Sequence, residues 1–213
     1  CSIKIVQDTL KDINTLNYRG IVILKSTMPP KTTENFQNTY NKLKIIFNPE
    51  FLTEANFLDD FKNQEYIILG GHKKDCALVE DMYREFFPSS KIVISSSNEA
   101  EMLKYYLNCF LAVKVSFANE IYQLCDKLDI SYENLIEMVK LDSRIGKTHL
   151  DVPGPDGLFG FGGSCFPKDI SALLSFFEEN DIISMVIKSS WERNLTIDRV
   201  EKDWEKLKGR SVL

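Results

Sequence analysis

The chain has 213 residues, more than one ordinary domain and short of two full ones. With 44% hydrophobic and 27% charged residues, it has the make-up of a folded globular protein rather than a disordered one. A formal charge of −5 leaves no surplus of Lys and Arg to neutralise phosphates, which argues against a nucleic acid or an anionic membrane as partner.

Residues 3–16 carry Ile3, Val6, Leu10, Ile13 and Leu16 at helical spacing. Strand-type apolar runs follow at 21–24, 44–47, 66–69 and 91–95, with helices expected over 32–42 and 75–86. Strands separated by helices imply parallel βαβ crossovers, so residues 1–96 read as an α/β domain with a small parallel sheet. Ser96-Ser97-Asn98-Glu99 then fits a capping box. From there to about Leu128 no Gly or Pro intervenes, which predicts one helix roughly 45 to 50 Å long. Its apolar residues, among them Met102, Tyr106, Phe110, Phe117 and Leu124, surround most of the axis. Such a helix needs cover on several sides, and a second subunit is the expected source. Further helices are expected at 132–140, 167–179 and 183–207. The fold class is therefore α/β followed by all-α.

No apolar run reaches membrane-spanning length, and no basic stretch followed by an apolar one opens the chain, so no secretory signal is visible. Five widely spaced cysteines without a CxxC, and only two histidines, His72 and His149, exclude a disulfide scaffold and argue against a metal site. A reducing, cytoplasmic compartment is expected.

Six of the ten glycines lie between Gly146 and Gly163, with Pro153 and Pro155, in a stretch without period. Loops this long inside compact domains are usually functional. This one leads to Gly162-Gly163-Ser164-Cys165-Phe166-Pro167-Lys168-Asp169. Pro167 suits the start of a helix, placing Cys165 just outside its N-terminus with Lys168 in the first turn. Free amides, the helix dipole and a nearby ammonium would favour the thiolate, as a nucleophile requires. The two preceding glycines would let a ligand approach closely. The alternative is a small buried hydrophobe after a tight turn, and for Cys76, Cys109 and Cys125 that reading is preferred.

Other candidates are weaker one by one. Lys104 and Asn108 are spaced i, i+4 on the long helix and would share a face, unless Lys104 snorkels to water. Glu50 and Glu54 would form a second such pair if Pro49 begins a helical turn, and could act as general bases or simply sit on a wet face. Ser26-Thr27 ends the first strand, where α/β proteins place ligand groups, although a strand-terminating turn explains it equally well. Arg144 suits an anionic or hydroxyl-rich ligand, or the surface.

Their order is what is specific. Lys25-Ser26-Thr27-Met28-Pro29-Pro30, Asn48-Pro49-Glu50-Phe51-Leu52-Thr53-Glu54, Ala100-Glu101-Met102-Leu103-Lys104 with Asn108, Ser143-Arg144-Ile145-Gly146 and the cysteine octapeptide together resemble the UDP-glucose/GDP-mannose dehydrogenase family. The resemblance runs in register from about residue 21 to 183, and the wording at 152–157 looks most like its UDP-glucose-oxidising members. It implies oxidation of the C6 alcohol of a nucleotide sugar to the carboxylate with NAD as cofactor, through a cysteine thiohemiacetal and thioester. Cys165 would be the nucleophile, and Lys104 and Asn108 would steady the oxyanion. Asp169 with Thr27 would hold water, and Glu50 would serve as acid/base in thioester hydrolysis. Glu54, Phe51, Leu52, Phe161, Gly162 and Gly163 would line the substrate site. Ser26, Thr27, Glu54 and Lys168 would face the cofactor. Arg144 would reach the substrate of a neighbouring subunit in a homodimer built on residues 97–128.

The resemblance also implies three segments: a partial NAD-binding, Rossmann-like domain at 1–96, a helical dimerisation and catalytic domain at 97–208, and the start of a C-terminal domain at 209–213. The family's GxGxxG fingerprint, which seats pyrophosphate on a helix N-terminus, does not occur in the sequence. The expectation is that this chain alone does not complete the oxidation. The rival readings are a non-catalytic remnant or partner subunit that keeps the dimer core, and a thiol hydrolase or transferase using Cys165 without redox chemistry.

Overall fold

The computed structural model describes residues 3–52 and 56–206, so Cys1, Glu54 and residues 209–213 lie outside the described residues. The chain divides into two compact units, the division falling between Lys104 and Tyr105 inside one helix.

The first unit runs α1 (Lys4–Thr15), β1 (Ile21–Leu24), α2 (Thr32–Thr39), β2 (Lys44–Phe47), α3 (Phe57–Lys62), β3 (Tyr66–Gly71), α4 (Lys73–Phe86) and β4 (Lys91–Ser95), then enters α5 (Ser97–Lys127). Its four strands form one sheet in the order β1-β2-β3-β4. Side chains alternate across that sheet. Ile45, Phe47 and Ile68 join Leu10 of α1, Phe36 of α2 and Ala100 of α5 in one core. Ile46, Ile67 and Leu69 join Cys76 and Val79 of α4 in the other. Helices cover both faces, which is why the strands read as unbroken apolar runs rather than as alternating patterns.

The sheet is mostly but not uniformly parallel, which corrects the sequence expectation. β1 with β2 and β3 with β4 are parallel, but β2 and β3 pair antiparallel, Ile46 opposite Gly71 and Phe47 opposite Gly70. A parallel return needs a crossover helix bedded on a sheet face. Among the described residues, the connection after β2 contains only α3, six residues none of which is buried, and the chain reverses instead. α3 itself was not anticipated, because so short a segment carries no period. Residues 49–52 are not helical, so Pro49 does not begin the turn that the Glu50/Glu54 pairing required.

The capping box at the start of α5 forms as expected. The Ser96 N–H donates to Glu99 Oε2 at 2.8 Å, and the Glu99 N–H donates to Ser96 Oγ at 3.2 Å. Gly70 lets β3 meet this helix closely: a Cβ there would stand 2.5 Å from that of Ala100.

The second unit contains the rest of α5, α6 (Tyr132–Val139), α7 (Phe166–Glu179) and α8 (Met185–Arg193). The helix expected over 183–207 is broken: a π-turn at Asn194–Asp198 ends α8, and a short 3-10 turn follows at Asp203–Lys206. Tyr105, Cys109 and Ala112 of α5 pack with Phe161, Ile170 and Leu173. Ala118 and Cys125, farther along, pack with Tyr132, Ile136, Leu150 and Val152.

Glu101 is fully buried, and its Oε1 accepts both the backbone N–H (2.8 Å) and the hydroxyl (2.6 Å) of Thr33 in the first turn of α2. Burial nevertheless outweighs these bonds and pushes its carboxyl above the usual range. Folded Glu101 thus holds its proton more tightly than unfolded Glu101. Its contribution to stability is fully present below the ordinary carboxyl value and is lost as pH rises through the raised one. Urea titrations carried upward from about pH 4, the ordinary carboxyl value, are expected to show this loss, and Glu101→Gln to flatten it; an unchanged slope in the variant would contradict the assignment.

Candidate functional site

Two clusters gather nearly all the residues singled out in the sequence, one in each unit. In the first unit the chain leaves β2 through Asn48, which is buried and fully engaged. Its backbone N–H donates to Leu24 O at 2.8 Å, and its side-chain amide donates to Ile68 O at 2.8 Å. Its Oδ1 accepts from Tyr83 Oη at 2.7 Å and from Lys25 Nζ at 3.0 Å. One residue therefore ties β1, through its backbone N–H, to β3 and α4, through its side chain, at the point where Glu50 emerges. Lys25 also stands 3.5 Å from Glu50 Oε2, a half-exposed pair of small energetic weight.

Lys104 does not snorkel to open water. Its ammonium donates to the Glu50 carbonyl at 2.5 Å and stands 5.3 Å from the centre of the Phe51 ring. The loop that carries Glu50, Phe51 and Leu52 is thus tied to α5 by a cation. Ser26 is exposed and Thr27 half-buried, just past the carboxyl end of β1. A cavity of about 380 Å³ beside this loop is lined by Lys25, Glu50, Phe51, Leu52 and Tyr66, together with Asp59, Asp60 and Glu65. Four carboxylates against one ammonium make it unsuited to a phosphate.

In the second unit, Cys165 caps α7 from just outside its first turn, with Pro167 inside that turn. It is half-buried and free, whereas Cys76, Cys109 and Cys125 are buried. Burial pushes the Cys109 thiol up to about 12 and the Cys76 thiol up to about 11, so those two are inert packing groups. Asp169, one turn into α7, is sealed from solvent. It accepts from Lys168 Nζ on one oxygen and from the Asn108 amide at 2.5 Å on the other. Asn108 is therefore joined to the helix that Cys165 caps, and Lys168 is bound to the neighbouring carboxylate. Arg144 lies at the surface, its guanidinium on Asp142 at 2.5 and 2.9 Å.

The loop before Cys165 is held from inside the chain. Phe161 is buried, and its N–H donates to Asn194 Oδ1 at 2.8 Å, while Asn194 Nδ2 donates back to Phe161 O at 2.9 Å. At Gly162 the nearest neighbour is the Arg199 guanidinium, whose Cζ would lie 2.5 Å from an added Cβ. Gly163 has φ +70°, the left-handed region that favours glycine. Asn48, Glu101, Asn194 and Arg199 were not singled out in the sequence. The first two sit inside quoted motifs as plain positions, and the last two sit in a stretch read as ordinary helix. Only their polarity within apolar runs could have marked them.

Magnitudes separate the ion pairs. Removing the cation from Asp169 by Lys168→Met leaves a buried carboxylate with one neutral donor, an expected loss of about 3 kcal/mol or more. Arg144→Ala removes only an exposed pair and is expected to cost about 0–1 kcal/mol. Urea unfolding of both variants checks the contrast, and equal losses would refute it.

Among the described residues, no group of three or more His, Cys, Asp or Glu side chains could hold a metal ion, and no helix is long and apolar enough to cross a membrane. Comparison with known proteins gives a consistent result. The UDP-glucose/GDP-mannose dehydrogenase family, NAD binding domain, matches residues 1–87, and the central domain of the same family matches residues 98–196. The UDP-glucose 6-dehydrogenase of Rickettsia bellii is 37% identical over 212 residues, covering 92% of this chain and 47% of the relative. A solved UDP-glucose dehydrogenase from the hyperthermophilic archaeon Pyrobaculum islandicum matches with a TM-score of 0.80 and 31% identity, over 90% of this chain and 46% of that one. The UDP-D-ManNAc dehydrogenase of Pyrococcus horikoshii matches with a TM-score of 0.77 and 26% identity, over 91% and 46%. The chain spans about half the length of the relatives it matches. Two consecutive domain models of one family, a mostly parallel sheet followed by helices, and a half-buried cysteine capping a helix agree: the chain belongs to the UDP-glucose/GDP-mannose dehydrogenase family.

Proposed function

We propose that this chain carries the thiol chemistry of nucleotide-sugar oxidation, in which the C6 alcohol of UDP-glucose becomes the carboxylate. The observation that supports this most is Cys165, the half-buried thiol at the N-terminus of α7, one turn from the Asn108–Asp169–Lys168 network. In its thiolate form, Sγ of Cys165 adds to the C6 aldehyde, forming a C–S bond and an oxyanion that takes up a proton as the thiohemiacetal. Lys104 and Asn108 are the assigned donors to that oxyanion. Once C6 is at the thioester level, water attacks it, the C–S bond breaks and the thiolate leaves. Glu50 takes the proton of the water, which Thr27 is assigned to hold, and Asp169 serves the step through the Lys168 and Asn108 groups bound to it. Phe51, Leu52, Phe161, Gly162 and Gly163 are assigned to the sugar, and Arg144 to the substrate of a neighbouring subunit. A reducing, cytoplasmic setting keeps Cys165 reduced.

The family's cofactor is NAD, which supplies hydride acceptance when bound. The N-terminus of α2 does not offer its amides to the cofactor's pyrophosphate. The helix N-terminus that follows β1 already has a carboxylate on its amides, since Thr33 donates to Glu101. Ser26, Thr27 and Lys168 remain assigned to the cofactor side, and no step is derived through it.

A homodimer built on α5 is the second part of the proposal. Tyr106, Phe110, Phe117 and Leu124 are each more than half exposed and recur at spacings of four, seven and seven. That repeat is the seam of two paired helices. Phe110→Asp is expected to convert a dimer to a monomer in sedimentation equilibrium; a wild-type chain that sediments as a monomer would sink this part.

The thiol step can be tested without cofactor. The C6 aldehyde of UDP-glucose is expected to slow iodoacetamide labelling of Cys165 about tenfold, and Lys104→Met to remove most of that protection. Labelling indifferent to saturating aldehyde would refute the assignment of Cys165.

A further inference from the structure

We propose that Arg199 and Asn194 are positioning residues, a clamp that fixes residues 160–163 and, through them, the place of Cys165. The inference rests on the reading of Cys165 as nucleophile given above.

The clamp begins with the π-turn. Five residues apart in an α-helix, two side chains point about 140° away from each other. Here the Arg199 N–H donates to Asn194 O at 2.9 Å, a wider closure that brings the two residues toward one side. Both then meet the glycine loop. Asn194, fully buried, holds both backbone polar groups of Phe161 with one amide, as a neighbouring strand would. Gly160, at φ +65°, adopts the left-handed region, and a Cβ on it would stand 2.3 Å from Asn194 Oδ1. The guanidinium of Arg199 lies against Gly162 so closely that any side chain there would displace it.

Arg199 is itself immobilised. Its Nε and Nη2 bind the Asp203 carboxylate at 2.7 and 2.9 Å, and its Nη1 binds Asp156 at 2.7 Å. The guanidinium holds the Asp203 carboxyl below the usual range. Asp156 belongs to the loop itself, so this buried cation joins the loop to the turn beyond α8. With its nitrogens engaged and its side chain 4% exposed, Arg199 has little left to offer a substrate. It acts through the backbone it supports. Buried ion pairs of this kind fix one geometry more than they add stability.

The test uses the full 213-residue chain, with labelling by iodoacetamide read at each cysteine by peptide mass spectrometry. In Arg199→Ala, Cys165 is expected to label about tenfold faster than in wild type while buried Cys76, Cys109 and Cys125 stay protected. Millimolar guanidinium, filling the vacated space, is expected to return the rate toward the wild-type value. Asn194→Asp keeps the acceptor for the Phe161 N–H but loses the donor to Phe161 O, and the same selective acceleration is expected. An unchanged Cys165 rate in both variants would overturn the clamp. So would simultaneous labelling of Cys76, Cys109, Cys125 and Cys165, which reports general unfolding. These rates need no aldehyde, so failure of aldehyde protection would remove the nucleophile and leave them to decide the clamp.

Discussion

Asp169 is a carboxylate sealed from water one turn into α7, and a buried charge is tolerated only where cation and donors surround it. Lys168 supplies the cation from the adjacent residue, and Asn108 supplies an amide from α5. The first helical turn after Cys165 is thereby locked to the long helix. Without that lock, the thiol would stand at a helix end free to fray, because the earliest amides of a helix have no partner within it. The same pair explains why a lysine beside the cysteine is not a solvated side chain.

The glycine loop reaches the same point from the other side. Close approach is what its glycines permit, and at Gly160 and Gly162 the groups that approach are Asn194 and Arg199. Backbone hydrogen bonds that a loop cannot make with itself are made by one amide side chain, and the buried guanidinium is neutralised by two carboxylates. The π-turn is the local cost of aiming both residues the same way. Such insertions interrupt the α-helical ladder, and they persist where the packing beyond them compensates.

In the first unit the comparable device is Asn48. It satisfies backbone groups of β1 and β3 where the sheet ends and so fixes where Glu50 leaves it. Lys104 grips the following peptide unit through the Glu50 carbonyl. Glu101, meanwhile, takes the amides of the α2 N-terminus that a phosphate would otherwise use. A βα turn in a dinucleotide-binding sheet is ordinarily where the anion goes. At α2 that place is taken from within the fold, by the carboxyl of Glu101.

Much was legible in the residues because local chemistry decided it. The strands at 44–47 and 91–95, the capping box at Ser96, the helix of 31 residues from Ser97 and the place of Cys165 before α7 follow from apolar runs, caps and the absence of Gly and Pro. These are near-neighbour effects, and a sequence carries them directly. Three things were not legible. The antiparallel pairing of β2 and β3 depends on a helix that buries nothing. The π-turn breaks a run whose composition is that of an ordinary helix. The partners of Lys104, Asp169 and Arg199 are the third, for a buried charge takes whichever donor or acceptor the folded chain brings within about 3 Å. For Lys104 with Glu50, Asp169 with Asn108 and Arg199 with Asp156 that choice is made across tens of residues, between groups whose separation only packing sets, and so the tertiary structure alone decides it.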